Sequence, residues 1–152
     1  MVLAAFRDDT YNVILLIHIV SFLVAFAPAV INPLLERHFA ANGGDPVLRT
    51  WSHFTRDYTR RISLGALVVL LVTGVLMILL SDDVIEFSDT WISLSFLGWF
   101  AIAGVVSAMI LKGERLISEG DMKGRELVAK GGPIATLLML VMLYLMVFQP
   151  GA

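Results

Sequence analysis

Four long apolar stretches alternate with polar segments along the chain. They cover residues 13–32, 62–80, 91–111 and 133–148. Each has roughly the length at which a helix crosses the hydrocarbon core of a bilayer, and none alternates polar and apolar residues as a β-strand does. The pattern predicts an all-α fold: a polytopic membrane four-helix bundle in which residues 1–152 form a single transmembrane domain.

The two long polar connections also carry helical signals. In the first, Asp45 can cap a helix that starts at Pro46, and apolar residues recur at helical spacing up to Ile62. The second has two short helical segments, 114–118 and 125–130, set among glycines. We therefore expect amphipathic helices in both loops. They lie on the membrane surface or present solvated faces that only fix the topology, and the helix of the first loop can also run straight into the second span.

Prolines and small residues predict how the helices bend and pack. Pro28 should kink the first helix, and Asn32-Pro33 should mark its end. In lipid, close helix contacts depend on small residues, which are concentrated in the third run. These are Ser93, Ser95, Gly98, Ala101, Ala103, Gly104, Ser107 and Ala108. The third helix is therefore predicted to be the central and most buried one.

Lys and Arg are confined almost entirely to the two long connections, and only Arg7 lies elsewhere. The positive-inside rule then places both long loops in the cytoplasm and both termini outside. The opposite face is acidic, with a cluster of carboxylates between residues 82 and 89. Trp91 and Tyr11 fit an aromatic belt at that outer face.

Composition narrows the function classes. With 58% hydrophobic and 16% charged residues, the chain is too apolar for a soluble domain of 152 residues. A net charge of −2 indicates no nucleic-acid partner, and the absence of Cys excludes disulfides, thiolate metal sites and a Cys nucleophile. No hydrolase, nucleotide-binding or zinc motif is present, and His38 and His53 have no ligand at metal spacing. No buried carboxylate or lysine is expected, which disfavours an ion-coupled transporter.

His18 is the single residue with an acid, base or imidazole side chain inside the four apolar runs. An imidazole in hydrocarbon needs a partner, which makes His18 the principal candidate for a functional site. Three interpretations are open: an interior His hydrogen-bonded to Ser21, Thr73 or a backbone carbonyl; a haem or copper ligand; or a proton-relay or quinone-contact group.

Depth along the helices indicates what could meet His18. It lies about 10 Å inside the membrane at helical rise, and Thr73, Gly74, Leu97, Gly98 and Met142 fall in nearly the same layer. Gly74 and Gly98 could leave room for a flat cofactor or let helices touch. With no second intramembrane His, the partner ligand of a haem could come from Met142, Met146 or another chain, although Met in a Leu-rich helix is usually packing.

Several short motifs resemble a bacterial integral membrane family, domain of unknown function twenty-two sixty-nine. They are LLIHI at 15–19, Thr73-Gly74, Gly98-Trp99 and the closing YLMVFQPG at 144–151. The resemblance implies a multi-pass protein of the bacterial inner (plasma) membrane. That family is similar, in its first-helix His, to the copper-resistance D and membrane protoporphyrinogen oxidase types. The resemblance therefore implies a haem role for His18, with haem b as the cofactor. Residues 26–28 and Gln149 depart from the family pattern.

Two hypotheses for function follow. In the first, the chain is a small, non-catalytic membrane component whose helices pack in a homo-oligomer or a larger membrane complex within the lipid bilayer. In the second, it is a haem b-binding or copper-handling redox protein that uses His18, with Met142 as a second ligand and Gly74 and Gly98 in the pocket.

Overall fold

The computed structural model describes residues 9–42, 44–81 and 84–151, and in these residues the only regular elements are helices. Two of the long helical segments change to π-helix for about one turn, at Thr59–Ser63 and at Val106–Leu111. The helices are α1 (Asp9–Asn42), α2 (Gly44–Tyr58), α3 (Leu64–Leu79), α4 (Thr90–Val105), α5 (Lys112–Ser118) and α6 (Gly124–Phe148). Because a π-helical turn joins α2 to α3 and another joins α4 to α5, the chain folds as four long rods.

Each rod is long and apolar enough to cross a membrane. The candidate spans are Asp9–Pro28, Gly44–Leu79, Thr90–Ser118 and Gly124–Phe148. Large apolar side chains on all four rods point away from the bundle, among them Leu16, Val68, Leu97 and Val147. Such exposure is costly in water and favourable in lipid. The predicted all-helical fold, with four helices long and apolar enough to span a membrane, is therefore confirmed.

The helices extend further than the apolar runs predicted. Asn32-Pro33 does not end α1, which continues to Asn42. The helix predicted after Pro46 is continuous with the second span, and the segments at 114–118 and 125–130 are extensions of the third and fourth rods. The reason is that charged residues do not stop a helix, and a proline removes only one backbone hydrogen bond, which neighbouring helices in a bundle compensate.

The third rod is not the central one. Only 17% of its membrane window is buried, against 28% for the second and fourth. The structure packs α1 mainly on α3 and α4 mainly on α6, with little contact between α3 and α4. Most of the small residues of α4 and the following turn are exposed: Ser93, Ala101, Gly104, Ser107 and Ala108. The large side chain of Ile102 faces inward instead, because it fills more of the bundle interior than a small side chain would.

An apolar layer crosses the middle of the bundle. It consists of Ala25, Phe26, Leu67, Leu70, Ile102, Val106 and Met142. The indole of Trp99 ties α4 to α3 at this level by donating to the Leu67 carbonyl at 2.9 Å. We call the side of this layer where α1 starts and α6 stops the Trp91 end, and the opposite side, around α5, the Glu114 end. A cavity lies on each side, and residues of the layer line both.

Two glycines allow α5 and α6 to cross closely at the Glu114 end. A Cβ on Gly124 would lie 2.3 Å from the carbonyl oxygen of Gly113, and a Cβ on Gly113 would lie 2.8 Å from that of Gly124. Both distances are far inside van der Waals contact with backbone atoms that cannot move independently. Glycine at these two positions therefore sets the separation of α5 and α6.

Candidate functional site

His18 is hydrogen-bonded to Thr73 of α3. The His18 Nδ1 and Thr73 Oγ1 atoms are 2.9 Å apart, and the Thr73 hydroxyl is 2.7 Å from the Val69 carbonyl and 3.1 Å from that of Leu70. A hydroxyl has a single hydrogen, which Thr73 gives to its own helix, so its oxygen accepts from His18. This network assigns the proton of the neutral ring to Nδ1 and leaves a lone pair on Nε2. Of the predicted partners, the structure brings the Thr73 hydroxyl and a backbone carbonyl, that of Leu70, to the ring.

The ring forms part of the wall of a cavity of about 420 Å³ at the Trp91 end, between α1, α3, α4 and α6. A Cβ on Gly74 would lie 3.3 Å from His18 Cε1, so the glycine gives the imidazole its place against α3. The wall is mostly apolar and rich in aromatic rings: Tyr11, Phe22, Trp91, Phe96 and Trp99. Such walls with a few polar groups are typical of sites for small molecules.

Of the other predicted site residues, Met142 lines the same cavity and Gly98 lies behind it. A Cβ on Gly98 would lie 2.6 Å from Met142 Sδ, so the thioether packs directly on the Gly98 backbone. Gly98 therefore seats Met142 at the contact of α4 with α6. The structure brings His18, Gly74 and Met142 to one cavity, as counting helical turns from the sequence predicts.

Trp91, a predicted member of an aromatic belt, also contributes a buried polar group. The side chain is 5% exposed and lines the cavity, and its Nε1–H has no hydrogen-bond acceptor among the described residues. The neighbouring Ser95 hydroxyl donates to the backbone carbonyl of Trp91 at 2.7 Å. Buried polar groups are nearly always hydrogen-bonded, so this indole needs an explanation.

The expectation of no buried carboxylate is wrong, because Glu114 is 1% exposed. It lines a second cavity, of about 290 Å³, at the Glu114 end, and Thr59 donates to its Oε1 at 3.4 Å. Thr59 belongs to a row of buried hydroxyl residues on α2 and the turn after it: Ser52, Thr55, Thr59 and Ser63. These four hydroxyl residues recur at helical spacing in the sequence. That pattern indicates that a polar group packs against this face of the helix.

The nearby carboxylate of Glu119 differs from that of Glu114, because it is exposed and has a charged partner. Arg115 hydrogen-bonds Glu119 at 2.9 Å on the outer face of the same turn of chain, and this bond holds the pKa of the Glu119 carboxyl below its usual value. Both partners are solvent-exposed, so the pair adds little to stability. His38 and His53 are exposed as well, and no group of three or more His, Cys, Asp or Glu comes together in the part of the chain that the structure describes.

Comparison with protein-family models, with curated proteins and with solved structures finds no match for this chain. The resemblance of its short motifs to an integral membrane family therefore stays a prediction, and the geometry of the two cavities carries the functional argument.

Proposed function

We propose that this protein is a non-catalytic binding component of the bacterial inner membrane, which holds a lipid-soluble ligand in the cavity at His18. The observation that carries the proposal is the cavity itself. Its volume of about 420 Å³ lies within the range of small-molecule sites, and its wall combines apolar and aromatic side chains with His18 and Trp91. A ligand arriving from the bilayer would find the same apolar surroundings there.

The polar groups around the cavity support binding rather than catalysis. His18 is oriented by Thr73, and the Ser95 hydroxyl donates to a backbone carbonyl, so neither pairs with the other as nucleophile and base. A ring that is fixed on one side and presents a lone pair on the other can orient a ligand without reacting with it.

A haem b or copper site is the second candidate, favoured by the His18 tautomer. A ligating His typically donates its other ring N–H to an oxygen acceptor, as His18 does to Thr73, and Met142 could supply a thioether. The fit is partial, because the two propionates of haem need cationic or donor partners and the described lining contains no Lys or Arg. A neutral ligand fits the same wall, because it has no charged group that needs such a partner.

Filling the cavity should remove the ligand. Val75 lines the cavity and Val72, on the same helix, faces outward, so Val75→Trp and Val72→Trp are matched variants. We expect the protein purified in mild detergent to carry a lipid-soluble compound at up to one per chain, measured by extraction and mass spectrometry. Val75→Trp should lose most of it and Val72→Trp should retain it.

Equal retention by Val75→Trp, or the absence of any co-purifying or added ligand in all three proteins, would reject the cavity as a binding site. A Soret band at one haem per chain that disappears in His18→Ala, or stoichiometric copper that does so, would establish the second candidate instead.

We also propose that the Trp91 end faces outside and that both long connections face the cytoplasm, supported by the distribution of Lys and Arg. The chain lacks Cys, so single-cysteine variants need no further change. Ser88→Cys should react with a membrane-impermeant maleimide on intact cells, whereas Asp121→Cys should react only after the membrane is opened. The reverse labelling pattern would invert the proposed topology.

The partner part of the proposal is that this component packs on a further membrane helix, from a second copy or a larger complex. It is supported by the outward face of α4 and the π-helical turn after it, where Ala101, Gly104 and Ala108 are exposed. Small residues at this spacing let helices approach closely in lipid.

A further inference from the structure

We propose that the ligand of the His18 cavity is an uncharged lipid that enters from the bilayer between α1 and α6. Its head group lies beside Gln149, and one hydrocarbon chain lies along the cavity. The inference rests on the proposed function, since it names the chemical class of the ligand and its route into the same cavity. It concerns binding alone and includes no chemical step.

The cavity has a side opening to lipid between α1 and α6. Ile19, Leu143 and Val147 line the cavity and are also 48%, 39% and 71% exposed. A side chain that does both lies at the edge of an opening. On α3 and α4, by contrast, every described residue of the lining is buried or half-buried. An apolar molecule of the bilayer can therefore reach the cavity sideways, without passing through water.

The cavity extends through the depth of one leaflet. Its lining on α1 runs from Tyr11 to Phe22, which spans about 16 Å at helical rise. The hydrocarbon of one leaflet is about 15 Å deep, half of a core of about 30 Å. Gln149 directly follows the fourth span, whereas Met142 belongs to the apolar layer in the middle of the bundle. The cavity thus runs from the membrane boundary to the bilayer centre, as a lipid of that leaflet does.

The polarity of the wall changes along the same direction. Tyr11 and Gln149 place a hydroxyl and an amide at the boundary end. Deeper in the wall, the polar atoms of His18, Ser95 and Trp99 are hydrogen-bonded within the protein, and the side chains around them are apolar. The wall therefore suits hydroxyl or ester groups at the boundary end and a hydrocarbon chain further in.

The lining carries no charge. Its described residues include no Asp, Glu, Lys or Arg, and the connection that adjoins it through Ile85 carries Glu86 and Asp89. A carboxylate or phosphate head group would find no cationic partner there, and burying it unpaired costs free energy. A glycerol head group with hydroxyl and ester oxygens can hydrogen-bond to the Gln149 amide and needs no counter-ion. The cavity therefore favours acylglycerol-like lipids over fatty acids and phospholipids.

The first test compares monoolein with oleate, which has the same chain but a charged head group. The full chain is held in an uncharged amphipathic polymer, because a detergent is itself a single-chain amphiphile and would compete. The lipids are supplied from cyclodextrin at alkaline pH, and bound lipid is counted by native mass spectrometry. We expect monoolein to bind and oleate to bind at least about tenfold more weakly. Monobutyrin, with the same head group and a short chain, should not bind.

A lysine at the boundary end should change this preference. In Gln149→Lys the new ammonium group supplies the missing cationic partner, so oleate should bind about tenfold more tightly than it does to wild type. Phe148→Lys is the matched control, because Phe148 is the preceding residue, is exposed and lies outside the lining. Its affinity for oleate should remain that of wild type.

The second test blocks the side opening and does not depend on how a variant folds. The chain lacks Cys, so Leu143→Cys gives a single thiol at the opening. Leu140→Cys gives one on the same helix that is exposed but outside the lining. Each variant is measured before and after reaction with pyrene maleimide. The label on Leu143→Cys should weaken monoolein binding about tenfold, and the label on Leu140→Cys should leave it unchanged.

The possible results separate this inference from the proposed function. If monoolein does not bind, or if oleate binds to wild type as tightly, the assignment to uncharged lipids is overturned. Equal binding before and after labelling of Leu143→Cys overturns the side opening. The proposed function survives these outcomes when another lipid-soluble compound co-purifies and is lost in Val75→Trp. If no such compound is found and nothing binds, both proposals fall.

Discussion

Replacing Gly124 by valine is expected to lower the free energy of unfolding by about 3 kcal/mol, at the upper end of the cost of overpacking. The new Cβ would lie 2.3 Å from the Gly113 carbonyl oxygen and 2.9 Å from the Leu116 Cβ. Neither atom is the flexible end of a side chain, so α5 and α6 would have to separate. The separation would also disturb the wall of the cavity at Glu114.

Gly65→Val is the control for this change. A Cβ on Gly65 would meet no atom within 4 Å, so the same substitution there adds only a lipid- or solvent-exposed side chain to a helix. Because glycine is the poorer helix former, we expect no loss of stability. Both variants can be compared by equilibrium unfolding in mixed micelles. Equal stability of the two variants would contradict the close crossing of α5 and α6.

Replacing Glu114 by alanine is expected to lower the free energy of unfolding by about 2 kcal/mol. The change removes the acceptor of the Thr59 hydroxyl and enlarges a cavity that already measures about 290 Å³. This loss of stability is partly offset, because folding of the variant no longer takes a carboxyl group out of water. The unfolding assay used for Gly124 also measures this effect.

Glu119→Ala provides the comparison, since Glu119 follows Glu114 by five residues and is exposed with its partner Arg115. Exposed ion pairs contribute little, so its midpoint of unfolding should match that of wild type. If Glu114→Ala were as stable as Glu119→Ala, Glu114 would have no structural part in the packing of α5.

The sequence predicts the number and type of the elements well, because an apolar run of the thickness of a bilayer has few alternatives. It predicts the ends of the helices poorly, as Asn32-Pro33 shows: hydropathy reports where lipid ends, whereas a helix ends where its backbone hydrogen bonds stop. The rotation of each helix is also hard to predict. Small residues in α4 indicate that close approach is possible, yet Ile102 decides which face turns inward.

In the candidate site, too, some features could be predicted from the sequence and others depend on how the helices pack. Depth along a helix is regular, so His18, Thr73 and Gly74 could be placed in one layer from the sequence alone. Glu114 and Trp91 were missed because their burial depends on neighbours distant in the chain: the hydroxyl row of α2 for one, and the meeting of α4 with α6 for the other. Each residue alone resembles an ordinary residue of a membrane boundary.

The apolar layer between the two cavities acts as an insulator. Its members, Phe26, Leu67, Ile102 and Val106 among them, offer no hydrogen-bonding side chain along which a proton could hop. Glu114 and the imidazole of His18 therefore lie on opposite sides of a layer whose side chains provide no proton relay.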